Sequence, residues 1–376
     1  MMMIKNNYRK YFGLEIIDDA WTKIEIPIVS RKEGALGIDY LFFDKNVLKK
    51  VISIYDNGNY YEGSLVMRTN ETYTTIEPAS SKAKIRKLNH NNIFMCKPKG
   101  IYFRCNILEN GLADICIGNY DSQKTYYSSE RDGIRYVPEE FVDKWVTETT
   151  KHDLDEIAVW GNESRSHHRY KEGDFFRFRY NRRMYGYGRV LLDVFRWKKS
   201  GGEFWDILMG KPLCVSIFRI ITENAFLTPE QIVKYKECPS EYIMDNVLYY
   251  GDFDIIGNLS SQSTNEYPIM YGRNLSAIDR DKICFSCGKV YRECDLSKAV
   301  VDTSKYINNT IGFEPTVNMS VIASCIRMDS NEPFWDNKRK NSYKIDLRDP
   351  VNQKDLDEVL NTFGLTKEDI IALNCS

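Results

Sequence analysis

Cys284-Phe285-Ser286-Cys287 sets two thiols three residues apart, with Cys294 close behind. Two thiolates on one turn can share a tetrahedral zinc ion, so the spacing offers half of a structural metal site. Four ligands are needed, and the chain contains neither a second CxxC nor a histidine nearby. The competing reading is a strand, in which Ile283, Phe285 and Cys287 point one way while Cys284 and Ser286 point the other. We prefer the strand and assign no metal ligand. A thioredoxin-like redox motif is set aside, because the pair neither follows a strand of a βαβ unit nor opens a helix. His167-His168 is the one histidine pair in the sequence. Neighbouring residues do not share a helix face, so a solvated pair in a polar loop is expected.

Acid–base chemistry finds less support. No spacing among the carboxylates isolates a catalytic pair. Tyr185, Arg189, Asp252, Asp254 and Glu266 would converge if the middle strands formed one sheet. Gly186-Tyr187-Gly188 is a fragment of a nucleotide-binding GxGxxG, but it lies inside a strand pattern and no helix follows. Its glycines more simply relieve crowding or form a bulge. No catalytic residue and no cofactor is assigned.

Charge and aromaticity say more. Arg165, Arg169, Lys171, Arg177, Arg179, Arg182, Arg183, Arg189, Arg196, Lys198 and Lys199 crowd one segment. Tyr170, Phe176, Phe178, Tyr180, Tyr185 and Tyr187 interleave them. Basic groups neutralise phosphates and rings stack on bases, so the stretch 165–199 could serve a nucleic-acid binder or a nucleic-acid enzyme. It could equally dock an acidic protein. The plainest reading is a solvated hairpin face, with Arg177 and Arg179 on one side and Phe176 and Phe178 in the core. The net charge of −1 argues against a chain that coats nucleic acid along its whole surface.

The elements that must carry these residues are short strands. Lys50–Ile54 and Tyr60–Arg68 flank Asp56-Asn57-Gly58, and Ile101–Ile107 and Ala113–Gly118 flank Glu109-Asn110-Gly111. Asn-Gly supplies the positive φ of tight hairpin turns. Pro138, Phe141, Val142 and Trp145 mark a helix over 137–157. Further strands are expected at Asp174–Tyr180, Met184–Phe195, Leu213–Ile221, Leu248–Gly257 and Lys282–Tyr291, with a short helix at Pro229–Tyr235. A weak strand among loops is expected over Ile307–Trp335. Leu356, Val359, Leu360 and Phe363 recur at helical spacing, Gly364 ends that helix and Thr366 caps another.

The expected class is therefore α+β and β-rich: two mainly antiparallel β domains joined by a short helix, with a helical C-terminal tail. The expected boundaries are a β-rich domain over 1–136, a helical connector over 137–160, a second β-rich domain over 165–295, and a mixed tail over 296–376. At 376 residues the chain exceeds one ordinary core, and 43% hydrophobic residues suffice for packed interiors. The 25 tyrosines suit half-buried strands, where the ring packs and the hydroxyl stays wet. Met1–Lys10 has no apolar core of a secretory signal, and no run approaches the roughly 20 apolar residues of a membrane helix. The expectation is a cytoplasmic chain with no membrane partner, and its ten cysteines are read as reduced thiols.

The middle region resembles a known family. Gly173–Val194 reads GDFFRFRYNRRMYGYGRVLLDV. It is similar to the opening of immunity protein 26 domains of bacterial polymorphic-toxin systems, where a G-D-x-F strand turns into a Tyr-Gly-Arg-Val strand. Tyr250–Gly257 with Glu266, Pro268 and Tyr271-Gly272 resembles a later segment of that family, and Cys284–Tyr291 its closing strand. The resemblance covers Tyr170–Glu293. It implies a protein that binds and neutralises a cognate toxin in the cytoplasm without catalysis. On that reading Tyr180, Arg182, Arg183, Tyr185, Tyr187 and Arg189 face the partner, since Tyr and Arg often anchor interfaces. Gly173, Asp174, Gly188, Gly257 and Gly288 support the fold. Residues near 173–291 are expected to form a single sheet whose outer side is the docking surface.

Overall fold

The computed structural model describes residues 3–30, 34–78, 80, 82, 84–204, 211–259, 266–273, 281–305 and 346–375. It divides into two compact units, Met1–Ser166 and His167–Ser376. The fold is mixed α+β and β-rich, with several antiparallel sheets and a helical C-terminal tail.

The first unit is built on β1 (Thr22–Ser30), β2 (Gly34–Asp44), β3 (Val47–Tyr55), β4 (Tyr60–Arg68), β5 (Thr75–Ile76), β6 (Arg86–Lys87), β7 (Lys99–Ile107), β8 (Ala113–Asn119) and β9 (Lys124–Ser128). Seven of them form one antiparallel sheet in the order β1-β2-β3-β4-β7-β8-β9, while β5 and β6 pair separately. Both Asn-Gly turns lie where expected, with Gly58 and Gly111 at positive φ between β3 and β4 and between β7 and β8. One sheet face packs against Phe12, Phe141, Trp145, Ile157 and Trp160. These come from the 3-10 helix Asn6–Phe12 and the helices Pro138–Glu148 and Lys151–Gly161. The stretch read as a connector is thus two helices that help close the first core. Thr150 opens the second of them with a reciprocal capping box to Asp153. The other sheet face carries a second core around Leu41, Phe43, Val51, Leu65 and Ile93.

The second unit holds β10 (Asp174–Arg179), β11 (Tyr185–Asp193), β12 (Pro212–Thr222), β13 (Glu241–Met244), β14 (Asp254–Asn258), β15 (Ile269–Arg273), β16 (Lys282–Cys287) and β17 (Val290–Asp295). The expectation of one sheet near 173–291 is corrected here. The described strands make a five-stranded antiparallel sheet, β13-β12-β11-β10-β14, and a separate three-stranded meander, β15-β16-β17. Lys282–Tyr291, read as one strand, is a hairpin that turns at Gly288, where φ is 61°. The two sheets share a core: Leu191, Leu192, Cys214 and Tyr242 of the first pack with Ile269, Tyr271, Ile283 and Phe285 of the second. Leu356, Val359, Leu360 and Leu365 of the C-terminal segment complete it. That segment contains the helix Gln353–Thr362, then Gly364 at positive φ, then the helix Lys367–Cys375. Thr366 and Asp369 cap the last helix reciprocally. The weak strand expected over Ile307–Trp335 lies outside the described residues.

Candidate functional site

The hairpin β10–β11 shows why its sequence alternates as it does. The register pairs Phe176 with Gly188 and Phe178 with Gly186. Each ring lies over the glycine opposite: a Cβ on Gly188 would meet the Phe176 ring at 2.5 Å, and one on Gly186 would meet Phe178 at 2.2 Å. The two glycines therefore make room for two core rings, which pack with Val190, Val215 and Phe253. Gly-Tyr-Gly is a packing device inside a strand, and the helix that follows it opens only at Val194.

The opposite face carries Phe175, Arg177, Arg179, Tyr185, Tyr187 and Arg189. Its middle is covered. Phe175, Tyr187, Phe218 and Ile232 form a small core there, and the Tyr187 hydroxyl donates to the Asn224 carbonyl. Beside that core lies a basic, aromatic ridge. The guanidinium carbons of Arg177 and Arg179 each sit 5.2 Å from the Tyr185 ring centre. Arg177 also donates to the Ala225 carbonyl at 2.6 Å and to Asp254 at 2.6 Å. Phe226, next in the chain, is 85% exposed, and Arg177 lies 5.9 Å from its ring centre. Phe226 thus holds an apolar ring out in water beside that arginine.

A second feature lies between the two sheets and the C-terminal helices. A cavity of about 700 Å³ is lined by Gly173, Arg189, Glu266, Tyr267, Arg348 and Leu360, among others. Arg189 pairs with Glu237 at 2.7 Å, and the Ser216 hydroxyl also donates to Glu237. Arg348 forks onto Asp346, with bonds of 3.0 Å and 2.8 Å, and donates to the Ser240 hydroxyl at 3.1 Å. Ser240 in turn donates to the Glu266 carbonyl at 2.6 Å. Burial pushes the Cys287 thiol in the same wall up to about 12, which keeps it protonated and inert at neutral pH.

Residues 171–282 match the family model of Immunity protein 26. No curated protein and no solved structure matches the chain. The immunity protein 26 match covers the five-stranded sheet, β15 and the cavity residues Gly173, Arg189 and Glu266. It ends before Cys284–Tyr291, the segment likened to the closing strand.

The structure redistributes the residues proposed to face a partner. Tyr187 is fully buried, Tyr180 is buried, and Arg182 is 9% exposed. Those three are corrected to interior positions: Tyr187 lies in the small core with Phe218 and Ile232, and Tyr180 in the core with Phe176, Phe178 and Phe253. Arg183 is exposed, Tyr185 is half-buried on the ridge, and half-buried Arg189 belongs to the cavity. The residues expected to support the fold are placed as follows. Asp174 accepts from the Lys171 amide and from Asn258, each at 2.8 Å. A Cβ on Gly173 would strike the Leu259 carbonyl, and one on Gly257 the Pro229 ring. Of the convergent set, Arg189 and Glu266 share the cavity, whereas Tyr185 and Asp254 both flank Arg177 on the ridge.

Cys284 and Cys287 lie in β16, paired on both sides, and the nine described cysteines are free thiols. No group of three or more His, Cys, Asp or Glu residues placed to hold a metal occurs among the described residues. Nor is any helix there long and apolar enough to cross a membrane. Sequence reasoning passed over Asp39, Ser53 and His90 in the first unit. Ser53 donates to one oxygen of Asp39 at 2.6 Å, and His90 Nδ1 meets the other at 2.8 Å. The serine thus bonds the carboxylate rather than the imidazole, which is not the order a nucleophilic triad requires. Phe226 was also missed; a lone ring in a polar stretch gives no periodic signal.

Proposed function

We propose that this chain is an immunity-type protein that binds a cognate protein toxin in the cytoplasm and neutralises it without catalysis. The match of residues 171–282 to immunity protein 26 carries this reading. The ridge of Arg177, Tyr185 and Phe226, with exposed Arg183 nearby, is the docking surface we assign to it. A preformed face suits tight inhibition, since a rigid anchor loses little entropy on binding. The ridge is basic and aromatic, so it fits an acidic rim around the toxin's working site.

Co-purification of the full chain with the toxin encoded beside its gene tests the proposal. Toxin retention by the wild type, together with loss in a Phe226→Asp, Arg183→Glu double variant, is the expected result. Retention by the double variant removes the ridge from the interface. No retention of the toxin by the wild type, with salt-sensitive retention of generic RNA or DNA instead, overturns the immunity reading in favour of a nucleic-acid binder.

A further inference from the structure

The cavity of the second unit is lined by more positive groups than negative ones. Among the described residues Arg189, Lys289, Arg348 and Lys367 stand there against Glu172 and Glu266. Glu237 and Asp346, which pair with the two guanidiniums, are not part of that lining. Lys289 is the least compensated of the four. Its backbone amide donates to Asn374 Oδ1 at 2.7 Å, and the Asn374 amide donates to the Cys287 carbonyl at 3.1 Å. These bonds fasten the tip of the β16–β17 hairpin to the last helix and fix where Lys289 starts. Its ammonium lies 5.5 Å from the Trp197 ring centre and has no carboxylate partner among the described residues. The residue is half-buried, so its charge stands partly out of water without a counter-ion. Lys367 is held only loosely, 3.8 Å from Asp357 with both side chains about half exposed.

Neither lining carboxylate answers Lys289. Glu172 accepts from the Asp193 amide at 3.1 Å. Removal from water raises the Glu266 carboxyl above the usual range; Arg348 opposes the rise, and Asp346 and Glu237 add to it. The remaining walls are apolar: Tyr267, Ile269, Leu356, Leu360, Ile370 and Ile371 all face the same space. An ammonium short of a counter-ion favours an incoming negative charge, and the apolar walls favour a hydrocarbon stem behind it.

We propose that this cavity binds a small monocarboxylate on an apolar stem, such as a medium-chain fatty acid, with Lys289 as its counter-ion. One ammonium without a partner matches a single negative charge, because both guanidiniums already hold carboxylates. The volume of about 700 Å³ lies within the range of small-ligand sites and exceeds what a carboxylate alone fills. Such binding neither requires nor excludes a toxin partner, and it is tested without one.

Calorimetric titration of the full chain with octanoate, acetate, n-octylamine and 1-octanol separates head from stem. The expected result is saturable binding of octanoate, at least tenfold tighter than any of the other three. Lys289→Met keeps the stem of the lysine and removes its charge, so octanoate should bind at least tenfold more weakly while 1-octanol is unchanged. Lys289→Arg keeps the charge and should retain octanoate, which separates lost charge from lost fold; thermal melts of both variants check the fold directly. No binding of octanoate, equal or tighter binding of octylamine, octanol or acetate, or unchanged octanoate affinity in Lys289→Met overturns the proposal.

Discussion

Two glutamates, one in each unit, sit among arginines and lysines and are treated in opposite ways. Glu62 is fully buried in the first unit and accepts four hydrogen bonds: two from Arg9, one from Lys50 and one from the Tyr60 hydroxyl, at 2.6–3.2 Å. Glu266 in the second unit lines a cavity and receives none on its carboxyl among the described residues. A sealed, saturated carboxylate ties helix to sheet and leaves nothing for a visitor. An open, unsatisfied one weakens the fold slightly and keeps its chemistry available. The difference marks the first cluster as scaffold and leaves the second open to solvent.

The comparison can be broken at its stiffest point first. Glu62→Ala strands the buried guanidinium of Arg9 and the ammonium of Lys50, and should cost about 3–5 kcal/mol in urea unfolding of the full chain. A loss near zero would mean that water reaches the cluster, and the scaffold reading would fail. Gly188→Ala should cost about 1–3 kcal/mol, because the new methyl meets the buried Phe176 ring and Ile217. Gly201→Ala, where a Cβ has open space but φ is 95°, measures backbone strain with no packing clash, the reverse of Gly188→Ala.

Glu266→Gln should behave differently from both. A carboxyl whose folded pKa is raised holds its proton more tightly in the folded state. As pH rises past the ordinary glutamate value of about 4.3, the unfolded chain loses its proton first and stability falls until the folded group also ionises. The Gln variant lacks that fall, so it should match the wild type in acid and be the more stable of the two at neutral pH. Thermal melts at several pH values check this, and a less stable Gln variant at neutral pH would show that the carboxylate is paired after all. Smallest of all, Phe226→Asp and Arg183→Glu should change stability by no more than about 0.5 kcal/mol, since both residues are exposed.

Local chemistry was legible in the sequence wherever the signal was local. The Asn-Gly turns, the 3.6-residue spacing of the C-terminal helix and the Thr366 cap all came through, because each depends on a few adjacent residues. Val194 and Phe195 read as strand but open a helix, since the Asp193 carboxylate takes the Arg196 amide and caps it. The turn at Gly288-Lys289 lacks the Asn-Gly pattern, so one long strand stood in for a hairpin. Long-range packing was beyond reach. Tyr187 looks like an anchor until the segment around Leu227 and Ile232 folds over it. The cavity draws residues from Glu172 to Cys375, and no window of sequence holds such a set.

Docking of the second unit on a protein through its basic, aromatic ridge is the central proposal. Surface-immobilised full chain, titrated with the toxin domain encoded beside its gene, measures that directly. Wild type should bind, and Phe226→Asp with Arg183→Glu should weaken binding at least a hundredfold while the melting temperature stays put. Equal affinity for wild type and the double variant would contradict it.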